Sequence, residues 1–132
     1  MLTLQVQHAS IASNNIYSGD ENDMQRYGTV IGIKPEMITA YKRLHAAVWP
    51  AVLAQISRSH IRNYSIYLRE PENLLFSHFE YHGHDFAGDM AAMAADPDTQ
   101  RWWAVCMPCQ TPLLSRRTGE HWATMEEVFH CD

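Results

Sequence analysis

The four residues Glu70-Pro71-Glu72-Asn73 constrain this chain more than any other stretch. They join two runs rich in aromatic and β-branched residues, Ile61 to Arg69 (IRNYSIYLR) and Leu74 to His82 (LLFSHFEYH). So short a link permits only an antiparallel hairpin, because a parallel crossover needs a dozen or more residues. The remaining elements follow around that hairpin. Tyr27 to Lys34 (YGTVIGIK) is apolar and β-branched and stops at Pro35, which makes it a strand. Pro35 suits a first helical position, and Met37, Tyr41, Leu44, Val48, Val52 and Ile56 then recur every three or four residues. That spacing predicts a long amphipathic helix, interrupted at Trp49-Pro50 because proline has no backbone N–H to donate. Phe86, Met90 and Met93 form a second helical stripe, and Asp96-Pro97 caps and opens a further helix through Trp102, Trp103 and Cys106, ended by Pro108 and Pro112. His121 to His130 (HWATMEEVFH) is predicted as the last strand.

The order is β-α-β-β-α-β, with the second helix in two pieces, and it predicts an α+β, ferredoxin-like arrangement with helices on one face of an antiparallel sheet. The opposite face is left bare in a monomer, so a homodimer is expected. Residues 26 to 132 form this domain. Residues 1 to 25 read as an arm or linker: Leu2, Leu4 and Val6 alternate with polar residues as one extra edge strand would, and residues 10 to 23 are small, polar and then acidic.

Composition removes several functional classes. At 132 residues, 46% apolar and 19% charged, the chain fits one packed domain rather than a disordered segment. A formal charge of −5 offers no phosphate-neutralising surplus, so nucleic acid is not an expected partner. No apolar run approaches the roughly 18 residues of a membrane helix. The first Lys or Arg is Arg26, so a secretion signal's positive start is missing, and Cys106, Cys109 and Cys131 are too few for a disulfide scaffold. Both features predict a cytoplasmic setting.

Four local features could carry chemistry. Cys106-Met107-Pro108-Cys109 has redox spacing, but it follows a helix, where the dipole opposes a thiolate, and it reads instead as two packed thiols. His82, His84, His121, His130 and the cysteines are zinc-ligand types without two tight pairs, so no metal is expected. An RNA-recognition module would need a basic, aromatic third strand, and Glu80 stands there instead. The fourth feature is a polar-aromatic stripe: Tyr41, His45 and Trp49 at i, i+4 and i+8 share one helix flank, with Tyr64 and Arg101-Trp102-Trp103 elsewhere. One imidazole among large rings with OH and NH tips suits a carbohydrate, whose C–H patches stack on Trp and Tyr. Spacing alone favours the plainer reading, in which the aromatics fill a core around a satisfied histidine.

Tyr41-Lys42-Arg43-Leu44-His45-Ala46-Ala47-Val48-Trp49-Pro50 resembles the Y-x-R-x-H-x-x-[IV]-W-P segment of the L-rhamnose mutarotases. Asn63-Tyr64-Ser65-Ile66-Tyr67-Leu68, Asn73-Leu74-Leu75-Phe76, Arg101-Trp102-Trp103 and Glu127-Val128-Phe129 fall in that family's order and spacing, so the resemblance covers about residues 26 to 130. It implies a dimeric α+β barrel, with His45 as the catalytic acid/base and Tyr41, Tyr64, Trp102 and Trp103 contacting the sugar. It also implies interconversion of the α and β anomers of a 6-deoxy-L-hexose, chemistry that requires no metal, nucleotide or redox cofactor. Leu44, Ala46 and Ala51 depart from the family's usual arginine, polar residue and glutamate, and His78 is also unexpected. The VCMPCQTPL and FEYHG segments look like relatives associated with L-fucose, which makes L-fucose a competitor to L-rhamnose. The same fold also hosts non-catalytic small-molecule binders and barrel monooxygenases, which fold alone does not separate from a mutarotase.

Overall fold

The computed structural model describes residues 24–132. The expected strand at residues 2 to 6 and the polar stretch after it lie outside the described residues. Strand β1 spans Gln25–Ile33 and is followed by a 3-10 turn at Pro35–Met37, helix α1 (Ile38–His45) and helix α2 (Pro50–Arg58). The hairpin is β2 (Ile61–Arg69) and β3 (Leu74–Tyr81), and α3 (Phe86–Ala95) and α4 (Pro97–Cys106) come next. Two short strands, β4 (Gln110–Thr111) and β5 (Ala123–Met125), complete an antiparallel sheet.

The spatial order is β2-β3-β1, and the other edge of β1 is shared. β5 pairs with Gly28 to Val30 and β4 with Gly32 and Ile33, so two short pieces stand where one strand is expected. β4 brings its backbone so close that a Cβ at Gly32 would lie 2.6 Å from the Thr111 carbonyl oxygen, which explains a glycine within a buried strand.

The helical expectations hold with one adjustment. The first helix breaks over Ala46–Trp49, wider than a simple kink, because Pro50 starts a new helix and drives Trp49 to ψ 133. The second helix breaks at Asp96, whose carboxylate accepts from the Thr99 backbone N–H at 2.9 Å and from its hydroxyl at 2.8 Å. The last strand is much shorter than His121 to His130. Adjacent Glu126 and Glu127 end the alternation, and past Met125 the Arg26–Glu127 ion pair at 2.9 Å replaces the ladder. Phe129, expected on a strand, is accordingly 81% exposed.

All four helices lie on the face of the sheet that carries Ile31, Ile33 and Leu75, and these pack with Val52, Trp102 and Cys109 into the main core. The opposite face carries Val30, Phe76, His78, Tyr67 and Met125, none of them buried, with Tyr67 65% exposed. Among the described residues no helix is long and apolar enough to cross a membrane.

Candidate active site

A pocket of about 440 Å³ lies between the sheet and the helices, within the usual size of a small-molecule site. All four helices line it, and α1 and α4 supply the polar and large aromatic groups of the helical wall. Tyr41 and His45, one turn apart on α1, stack with ring centroids 4.1 Å apart. Trp102 presents an edge to both His45 and Trp49 at 5.2 Å. Trp103, about a quarter-turn further round α4, lines the same pocket but packs toward Ile61, Met90 and Met93.

The hydrogen bonding of His45 defines its state. Its Nδ1 lies 2.9 Å from the Tyr41 carbonyl oxygen, an acceptor only, so Nδ1 carries the proton and Nε2 keeps a lone pair. Burial pulls the imidazole below its ordinary 6.5, with the carbonyl bond opposing in part. His45 is therefore a neutral base at pH 7. Burial pushes the Tyr41 hydroxyl in the opposite direction, above its ordinary value, so it stays protonated.

The opposite wall comes from the sheet and depends on a bulge. Ile61 and Ile66 both face the helices although they are five residues apart, so an extra residue must reverse the alternation between them. The register shift falls between Arg62 and Ser65, and Asn63 adopts φ 51. Asparagine tolerates that left-handed conformation, and the Asn63 amide is tied to Glu80 Oε1 at 2.8 Å. The bulge turns Tyr64 inward, where its ring stacks on Phe79 at 5.6 Å. On the pocket floor the Thr29 and Ser77 hydroxyls share a 2.5 Å hydrogen bond across β1 and β3.

All five residues singled out in the sequence, Tyr41, His45, Tyr64, Trp102 and Trp103, thus line one pocket. His78 does not. It lies between Ser77 and Phe79, which line the pocket, so the strand's alternation sends it to the opposite face. The departures at Leu44, Ala46 and Ala51 fall outside the lining as well: Leu44 packs on the core, and both alanines are exposed. The Cys106 and Cys109 thiols are free and buried, and burial pushes Cys106 up to about 12, so neither is a ready nucleophile.

Sequence reading missed Gln110. It is 6% exposed, it lines the pocket, and its amide oxygen lies 2.8 Å from Nε2 of His121. The only signal was a polar residue directly after a predicted buried cysteine.

Fold and pocket together define a class: an α+β protein holding one neutral imidazole inside an aromatic, hydroxyl-edged cavity, fit for proton transfer on a small polyol. The L-rhamnose mutarotase family model matches residues 26–131, and the chain belongs to that family. Mutarotases are isomerases that interconvert sugar anomers. Among relatives, the chain is 32% identical over 115 residues to the L-rhamnose mutarotase of Phocaeicola vulgatus, covering 83% of this chain and all of that protein. It is 34% identical over 113 residues to the L-rhamnose mutarotase of Opitutus terrae, with the same coverage. The crystal structure of an L-rhamnose mutarotase from Formosa agariphila shares the fold, with a TM-score of 0.64 at 20% identity over 82% of this chain and 99% of that one.

Proposed function

We propose that this protein interconverts the α and β anomers of a 6-deoxy-L-hexose, L-rhamnose or L-fucose, with His45 as acid/base. The observation that carries the reading is the orientation of His45: its Nδ1–H is spent on the Tyr41 carbonyl, so a lone pair on Nε2 is available in a pocket walled by aromatic rings. Anomerisation opens the pyranose by breaking C1–O5 as the anomeric O1 loses its proton and O5 gains one. Nε2 of His45 takes the O1 proton, and the Tyr41 hydroxyl supplies the proton to O5. An alkoxide is more basic than a phenolate, so that second transfer runs downhill. After the carbonyl rotates, both protons return by the reverse steps, leaving either anomer and an unchanged enzyme. Tyr64, Trp102 and Trp103 hold the sugar by stacking and by their OH and NH tips.

The test is saturation-transfer NMR of the anomeric protons of L-rhamnose, L-fucose and other 6-deoxy sugars with the purified protein. Exchange well above the buffer rate is expected for at least one sugar. Binding without accelerated exchange would instead favour a sugar-binding protein.

The working form we propose is a homodimer in the cytoplasm. Val30, Phe76, Tyr67 and Met125 form an uncovered apolar strip on the sheet's outer face, which a second copy of the same face would bury. A stable 15 kDa species in sedimentation at micromolar concentration would argue against the dimer. The cytoplasmic assignment rests on the free thiols, among them the exposed Cys131.

A further inference from the structure

We propose that the Thr29 and Ser77 hydroxyls on the sheet floor are the specificity-determining element of the sugar site, reading the configuration at C4 of the 6-deoxy-L-hexose. The inference rests on the mutarotase reading and deepens it. On its helix-facing side β1 carries Tyr27, Thr29, Ile31 and Ile33 in alternation, and β3 carries Leu75, Ser77 and Phe79. Rings and aliphatic chains fill all of these places except two, and those two stand directly opposite each other in the strand register. Valine has the shape of threonine and brings no hydroxyl to satisfy, so packing does not account for the pair.

Two hydroxyls hold two protons and four lone pairs between them. The 2.5 Å hydrogen bond joining Thr29 and Ser77 uses one proton and one lone pair, whichever atom donates. One proton is therefore left over, and among the described residues neither oxygen has a second hydrogen-bond partner. Thr29 is 8% exposed and Ser77 4%, so the spare proton is nearly shut in, on two side chains that line the pocket. A buried donor without a partner is costly, and a ring hydroxyl of a bound sugar satisfies it. The row continues onto β5, where Thr124 pairs with Thr29 and also lines the pocket. Thr124 donates its own proton to Glu120 Oε1 at 3.1 Å, which leaves it only lone pairs to offer. A donor and an acceptor thus stand side by side on neighbouring strands, as two adjacent ring hydroxyls require.

The position of the floor selects which hydroxyls these are. His45 and Tyr41 act from α1, on the wall across the pocket, and their chemistry concerns O1 and O5. In a pyranose C1 and O5 are neighbours, and the ring edge opposite them is C3–C4. A sugar held with C1 and O5 toward the helices therefore turns O3 and O4 toward the sheet. L-Rhamnose and L-fucose differ in configuration at C2 and C4. A floor that reads O4 separates them, and His45 takes no part in the choice.

The experiment measures kcat and KM for anomer exchange on L-rhamnose, L-fucose, 6-deoxy-L-glucose and 6-deoxy-L-talose, which together cover both configurations at C2 and at C4. Each rate is corrected for that sugar's exchange in buffer. Wild-type protein should prefer one C4 configuration about tenfold in kcat/KM at either setting of C2. A variant carrying both Thr29→Val and Ser77→Ala removes donor and acceptor together, so it orphans no hydroxyl and should fold, which thermal melting checks. In that variant the C4 preference should fall to within about twofold while the C2 preference stays. Most of the loss should appear in KM, because O4 lies away from the bonds that change. The analogue of the preferred sugar lacking O4 tests the same point in wild-type protein, where its KM should rise about tenfold, and it serves alone if the variant does not fold. An unchanged C4 preference in the folded double variant, a C2 preference that falls equally with it, or a wild-type KM indifferent to O4 would overturn the proposal. Wild-type protein that exchanges no sugar on the panel would overturn the mutarotase reading itself, a separate outcome.

Discussion

The two walls of the pocket are built by different rules. The helical wall is local: Tyr41 and His45 are one turn apart on α1, and Trp102 and Trp103 are consecutive on α4. The sheet wall is non-local: Thr29, Ser77, Tyr64 and Gln110 come from four strands and meet only because the strands pair in one register. Each wall supplies something the other lacks. The helices hold His45, Tyr41 and the two tryptophans, while the strands hold Tyr64, the paired Thr29 and Ser77 hydroxyls and the Gln110 amide. The helical wall should therefore respond to substitution through chemistry and the sheet wall through geometry.

The sharpest way to break that contrast is at His45. His45→Ala should lower anomer exchange by about 10²-fold or more, with sugar affinity changing much less, because the rings supply most of the contact area. Saturation-transfer NMR of the folded variant checks it. Since His78 lies on the far face of the sheet, His78→Ala should leave the same rate within about twofold. A wild-type rate in His45→Ala would remove the chemistry from the helical wall altogether.

This division also explains what was legible in the sequence. A 3.6-residue period places Tyr41, His45 and Trp49 on one flank whatever the rest of the chain does, so a short window suffices to group them. Strand alternation is legible only until something breaks it. Ile61 to Arg69 is plainly a strand, yet nothing in IRNYSIYLR announces that an extra residue at Asn63 turns Tyr64 inward. His78 was open for the same reason, because its face depends on register with β1. Gln110 was invisible as a pocket residue because its burial comes from pairing with Ile33, far away in sequence. The short β5 was overread because HWATMEEVFH alternates roughly, whereas β1 pairs with only its Ala123–Met125 portion.

The sheet wall is tested at the bulge. Asn63→Val forces a β-branched residue into φ 51 and should cost about 1–3 kcal/mol, read as a lower urea midpoint. Asn63→Gly accepts that backbone and should lose only the amide bond to Glu80, a smaller amount. If valine proves as stable as glycine, the bulge does not govern how this strand sits. The next effect in size returns to the helices. Trp103→Ala should weaken sugar binding roughly tenfold, and turnover by no more than that, because it removes contact made equally in ground and transition states. Calorimetric titration beside the exchange assay separates the two.

The smallest effect is on stability against pH, where the two walls respond together. Burial holds both His45 and His121 below the ordinary imidazole value of 6.5, whereas in the unfolded chain both titrate near it. As pH falls past about 6.5 the unfolded chain takes up protons first, so unfolding becomes easier, and the loss continues until the folded imidazoles also protonate. The contribution is full above that range and disappears below it. Its slope is at most about 1.4 kcal/mol per pH unit for each histidine, and less for His45, which is only half-buried. Urea midpoints should therefore be flat from pH 8 to 7 and fall between pH 6.5 and 5. His121→Gln should lower the plateau slightly and flatten the acid decline, since its amide can still donate to Gln110 but cannot titrate. An unchanged acid decline in that variant would mean that protonation of His121 is not what weakens the fold in acid.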